Sequence, residues 1–243
     1  MVQLIGQGAF IVASLALGTK LLLLWRRTHE VPELALGTSF LFGGGLGYIA
    51  WFAIGIASMQ GASPEVTQRI VLVGLACTCI GGVSNGLGIW QICRAGSRWP
   101  AVLIGLLAVV MVASGIQYWR AGATFQNMSF WYGILANTPL YAWGVVETFV
   151  LARALHRRAG LGLADPVVMN RAAQWGICGL MVVAMIALSF GSRLVHGPQG
   201  PAWIGALQAG LGVIGAAAIW LGFFPTRGLR ARLTTRYASQ AHG

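Results

Sequence analysis

Charge is scarce in this chain, and acid is scarcer still. Only 9% of the 243 residues are charged and five are acidic, against about a quarter charged in ordinary soluble domains. Glu30, Glu33, Glu65, Glu147 and Asp165 are too few for a multi-acid proton relay or a two-metal site. There is no H-E-x-x-H and no P-loop. His29, His156, His196 and His242 fall in loops, at span ends or in the tail, so none is placed to ligate a haem at mid-membrane depth. Cys77, Cys79, Cys93 and Cys178 contain no C-x-x-C pair. Cys77 and Cys79, two apart, point to different faces of a helix and make a poor metal pair. These absences disfavour an enzyme, a disulfide framework, a metal site and a cofactor.

What is present is apolar sequence. Hydrophobic residues make up 57% of the chain, in seven long runs separated by short polar punctuation. A span needs about 20 apolar residues to cross a hydrocarbon core of about 30 Å. The runs predict spans at about Leu4–Trp25, Glu33–Ser58, Ile70–Cys93, Trp99–Trp119, Met128–Ala154, Arg171–Val195 and Ala202–Phe224. Ser63-Pro64 and Asp165-Pro166 have the form of a cap followed by proline in the first turn, so spans three and six can begin earlier. Pro225 ends span seven. The expected fold is all-α: a bundle of seven transmembrane helices over residues 1–225, then a short basic tail over residues 226–243.

The net charge of +11 would suggest nucleic acid in a soluble protein, but here it follows membrane topology. Arg26, Arg27, Arg94, Arg98, Arg153, Arg157, Arg158, Arg171, Arg227, Arg230, Arg232 and Arg236 fall on one side; only Arg69, Arg120 and Arg193 fall on the other. The positive-inside rule then places the N-terminus outside and the tail in the cytoplasm. The first span has no basic residue before it and Lys20, Arg26 and Arg27 towards its end, the reverse of a signal peptide. Preference for arginine over lysine suits a GC-rich bacterial genome, so a bacterial inner membrane is the expected location. Trp25, Trp99, Trp119, Trp131, Trp175 and Trp203 lie near span ends, as an aromatic belt would. The basic tail can rest on anionic headgroups or serve as a solvated topology anchor.

Ionisable and amide groups at membrane depth are the candidate functional residues. Lys20 and Glu147 both sit about 9 Å to the cytoplasmic side of the midplane, which permits a salt bridge between spans one and five. The alternative is that Lys20 snorkels to the headgroups. Small-residue stripes mark buried faces. They run through Ala9, Ala13, Ala16 and Lys20; through Gly74, Thr78, Gly81, Asn85 and Gly88; through Gly133, Asn137, Gly144 and Glu147; and through Gly205, Gln208, Gly212 and Gly215. By depth, Asn137 and Gln208 belong to an outer layer with Ser114 and Ser189, and Asn85 and Glu147 to an inner layer with Lys20 and Thr38. Pro139 removes a backbone bond beside Asn137 and predicts a kink in span five. Asn137, Gln208, Trp131 and Tyr132 are thus expected around an outer ligand pocket, above an inner ionic lock. Simple interhelical hydrogen bonding is the plainer use of the same amides.

Gly43 with Gly47, and Gly82 with Gly86, form small-xxx-small pairs suited to tight packing or to a partner helix. Gly45-Leu46-Gly47-Tyr48-Ile49-Ala50 matches a dinucleotide fingerprint only formally, since it lies in a span with no strand before it. Seven spans with opposite termini resemble rhodopsins and G-protein-coupled receptors in topology, yet the last span has no Schiff-base lysine, and the Asp-Arg-Tyr and Asn-Pro-x-x-Tyr signatures are absent. Seven spans also resemble sugar transporters built as three, one and three helices. The stretch from Arg26-Arg27 through Pro32-Glu33-Leu34 to Gly43-Gly44-Gly45 resembles uncharacterised bacterial membrane proteins, a likeness that implies no activity. The expected function is a non-enzymatic sensor or binder of a small apolar or weakly polar ligand. The alternatives are a small-solute transporter with Glu147 as coupling carboxylate, or a scaffold that meets a membrane partner or a second copy through its glycine faces.

Overall fold

A computed structural model describes residues 2–121, 128–197 and 201–241, and the described residues are helical with no strand. The helices are α1 (Val2–Thr28), α2 (Val31–Thr38), a π-helical segment (Ser39–Leu46), α3 (Gly47–Met59), α4 (Pro64–Cys93), α5 (Trp99–Arg120), α6 (Met128–Leu135), α7 (Thr138–Gly160), α8 (Pro166–His196), α9 (Ala202–Phe223) and α10 (Arg227–Ala241). They make seven helical runs long and apolar enough to cross a membrane, which makes the chain a multi-pass membrane protein. Span two combines α2, the π segment and α3; span five combines α6 and α7.

Local chemistry sets the ends. The Ser63 hydroxyl accepts from the Val66 amide and the Asp165 carboxylate from the Val167 amide, each with proline in the first turn. Spans three and six therefore start at these caps, ahead of Ile70 and Arg171. The tail, expected only as a basic segment, forms α10, which packs against α8 and α7. His242 lies outside the described residues.

Six spans form a ring. α1 packs on α9, α9 on α8, α8 on α7, α7 on α4, and α4 on span two, which returns to α1. Span four, α5, stands outside the ring against α4 and α6. In lipid there is little hydrophobic drive between helices, so close packing of small residues holds such a bundle. Gly43 of the π segment and Gly81 of α4 meet backbone to backbone, leaving no room for a side chain at Gly81. Gly6 and Ala209 make the same kind of contact between α1 and α9, and a Cβ at Gly212 would lie 2.9 Å from the Gly6 carbonyl oxygen. The glycine stripes of spans three and seven are thus consumed inside the chain. The α1 stripe is rotated from the expected one: Phe10, Ala13, Ser14 and Leu17 are buried, while Lys20 is exposed on its flank.

Candidate ligand cavity and its ionic floor

The ring lines a partly open cavity of about 330 Å³, within the range of small-molecule sites. Every span except span four contributes to its wall. The wall is largely apolar and aromatic, with Phe10, Phe40, Tyr48, Trp51, Tyr141 and Trp175 among its larger side chains. Span two makes room for it. The π segment puts Ser39, Phe40, Gly43 and Gly44 on the wall, and π turns widen a helix where a functional site often lies. Gly43 also admits the Tyr141 hydroxyl, since a Cβ there would lie 3.2 Å from it.

Few polar groups interrupt this wall. Towards the end of the bundle where α1 begins, the wall carries Gln7 and Gln208, and the Gln208 amide donates to the Ser189 hydroxyl at 2.8 Å. The expected level of Gln208 with Ser189 therefore holds. Trp131 is on the wall, and its buried indole N–H has no hydrogen-bond partner. Asn85 is 6% exposed, lines the cavity and makes no side-chain hydrogen bond among the described residues. Trp51 donates to Thr78 at 3.3 Å, and Tyr48 reaches the Met185 sulfur at 3.6 Å.

The remaining expected pocket residues stand elsewhere. Tyr132 is 51% exposed on the outside of α6, because it follows Trp131 by about 100° of helix rotation. Asn137 is fully buried but off the wall, with its side-chain oxygen packed against Gly82 and its amide nitrogen donating to the Gly133 carbonyl at 3.0 Å. Its role is to close α6. The Ala136 and Asn137 amides bond back to Tyr132 and Ile134, and α7 restarts at Thr138 with Pro139 in its first turn. The kink expected at Pro139 takes the form of a short interruption at Ala136 and Asn137 within one continuous span. Trp175, expected in the aromatic belt, is buried in the core beside Phe223, whereas Trp99, Trp119 and Trp203 are exposed.

At the tail end of the bundle, the cavity gives way to charged contacts. Glu147 does not meet Lys20. Its carboxylate accepts from the Arg94 guanidinium at 2.9 Å and from the Trp143 indole at 3.1 Å. Lys20 donates instead to the Phe223 carbonyl at 2.8 Å and lies 4.4 Å from the centre of the Phe224 ring. Equal depth is not adjacency: α1 borders α9 and span two, whereas α7 borders α8 and α4. Arg94, just past the end of α4, is the partner that depth matching passed over. Its side chain is 50% exposed, so it reaches into the bundle from the surface.

The dinucleotide pattern falls away, and with it a serine-elbow spelling that the sequence reading passed over. Gly82-Val83-Ser84-Asn85-Gly86 spells the serine-elbow pattern, and Gly45 to Ala50 the dinucleotide one, but both lie within helices and lack the preceding strand. The four cysteines are free, and no cluster of three His, Cys, Asp or Glu side chains occurs among the described residues. No family model matches the chain, nor does any curated protein or solved structure.

Proposed function

We propose that this is a non-enzymatic binder or sensor of a small, largely apolar molecule held in the central cavity. The observation that carries the reading is the concave, largely apolar and aromatic wall with a few separated polar groups, the usual composition of a small-molecule site. Asn85 and the Trp131 indole are the groups best suited to orient a ligand. Gln208 and Ser189 flank its other end as a polar pair. The Arg94–Glu147–Trp143 cluster forms the floor, on the side read as cytoplasmic from the arginine distribution. An inner-membrane location follows the same reading.

Purified protein, extracted into organic solvent and analysed by mass spectrometry, should return one non-lipid compound at about one per chain. Val182→Trp, which places an indole in the cavity, should lower that occupancy severalfold with little loss of fold. Recovery of bulk lipid alone, or an occupancy indifferent to Val182→Trp, would overturn the reading.

Transport is the second reading, supported by the interruption between α6 and α7, since broken helices beside a central site are a common transporter device. Span four outside the ring also leaves three spans on each side of it in sequence. Under this reading, Glu147→Gln abolishes pH-dependent uptake in proteoliposomes; under the binder reading there is no uptake to abolish.

A further inference from the structure

The tail end of the bundle carries a second feature, separate from the cavity. Lys20 projects from the flank of α1 towards the end of α9, where Phe223, Phe224 and Pro225 close that helix. Arg171, in the first turns of α8, sits over the Phe223 ring at 5.6 Å from its centre. Arg230 lies in the first turn of α10, which follows α9 directly through Pro225 and Thr226 and packs against α8. Lys20 and Arg171 thus meet one aromatic pair from two helices, Arg230 stands on the next helix packed against α8, and all three are exposed.

No carboxylate balances them. The chain has five acids, and no ion pair with Lys20, Arg171 or Arg230 occurs among the described residues; Glu147 is taken by Arg94. Lys20 uses one of its three N–H donors on the Phe223 carbonyl. The Arg171 and Arg230 side chains make no hydrogen bond among the described residues. Like charges brought together without a counter-ion repel one another. They persist at little expense only where an anion or solvent neutralises them.

Depth narrows the identity of that anion. α9 ends at Phe223, so the cluster lies where an apolar span gives way to the basic tail, at headgroup level. Basic pockets between helices at that level suit phospholipid headgroups. The exposed Trp220, Leu221 and Leu24 nearby in sequence offer an acyl chain an apolar surface. A soluble anion would gain nothing from that surface.

We propose that Lys20, Arg171 and Arg230 form a binding site for the phosphate of an anionic phospholipid, seated between α1, α8 and α10 at the end of α9. Two of the Lys20 donors and the guanidinium forks of Arg171 and Arg230 supply the hydrogen bonds, and the lipid supplies the missing negative charge. α10, which otherwise rests lightly on α7 and α8, is drawn against the membrane surface by the same contact.

The test uses the full chain in neutral detergent, titrated with phosphatidylglycerol, with phosphatidylcholine and with inorganic phosphate, with binding read by native mass spectrometry and by thermal unfolding. Phosphatidylglycerol should bind in preference to phosphatidylcholine and raise the unfolding temperature. Removing one cation should weaken its binding about fivefold, and the triple variant Lys20→Met, Arg171→Gln, Arg230→Gln by about two orders of magnitude. Arg157→Gln with Arg158→Gln removes charge from the same side and should leave most of the affinity. Arg230→Gln alone, on the lightly packed α10, keeps the test valid if the triple variant fails to fold. Equal weakening by the Arg157/Arg158 control, indifference to Arg230→Gln, or full reproduction of the effect by inorganic phosphate would overturn the proposal.

Discussion

The cavity and the tail end of this bundle are built on opposite terms. Midway along the helices, the ring is held open: a π segment widens span two against the middle of α1, span five is interrupted at Asn137, and the space between is lined by aromatics and a few amides. Towards the tail, the helices are uninterrupted and the polar groups are charged, two of them engaged within the bundle. Arg94 and Trp143 hold Glu147, and Lys20 caps the α9 carbonyl of Phe223. Irregular backbone in a membrane is tolerated only where protein or a cavity covers it. Both departures from regular helix fall on the cavity side, so the irregularity and the cavity explain each other. The charged end needs no irregularity, because long side chains reach their partners from outside the core.

The comparison can be broken by substitution, beginning with the contacts that hold the ring together. Gly81→Leu should separate span two from span three and cost about 3 kcal/mol or more, because backbone and not a side-chain tip faces the new atoms. Gly105→Leu and Gly115→Leu, on the open face of span four, should stay within about 0.5 kcal/mol. Tryptophan-monitored unfolding in detergent compares the three, and a severe loss at Gly105 would mean that span four is covered by protein. Arg94→Gln should come next, at about 1.5–3 kcal/mol for a hydrogen bond to a charged group, reduced by the half-exposed guanidinium. The loss from Lys20→Met should simply add to it in a double-variant cycle, since the two ionic contacts are separate; a departure from additivity above about 0.5 kcal/mol would restore a link between Lys20 and Glu147. Ser189→Ala should have the smallest effect, about 0.6 kcal/mol, as expected for one interhelical bond in a membrane protein. A larger loss would show that the cavity end is stiffer than its irregular backbone implies.

How far the sequence foretold this depends on the range of the signal. Span number, the caps at Ser63 and Asp165 and an irregularity near Pro139, expected as a kink, are local, and each was legible from residue type and spacing. Gln208 with Ser189 was legible because helix depth is additive along a span. The Lys20–Glu147 pair failed because depth says nothing about which spans are neighbours around a ring. Tyr132 failed because a residue one step from the wall is turned about 100° away from it. Asn137 was correctly placed on a buried face, but its side chain is absorbed by Gly82 and Gly133 and does not reach the cavity. The π segment was illegible: three consecutive glycines signal close packing and permit the wider turn without demanding it. With it went Phe40, Gly43 and Gly44 as cavity residues, and Tyr48 and Trp51 just beyond.

That wider turn sets the azimuth of everything after it. α3 follows the π segment without a loop, so the angular position of Tyr48 and Trp51 depends on how Ser39–Leu46 is wound. Excising one residue from the Gly43-Gly44-Gly45 run, or rewinding it to the ordinary pitch, would swing the far half of span two by the better part of a right angle or more. Both rings would then leave the wall together. The glycine triplet is therefore a swivel as well as a spacer, and it makes the shape of the binding space depend on a few backbone bonds in one helix.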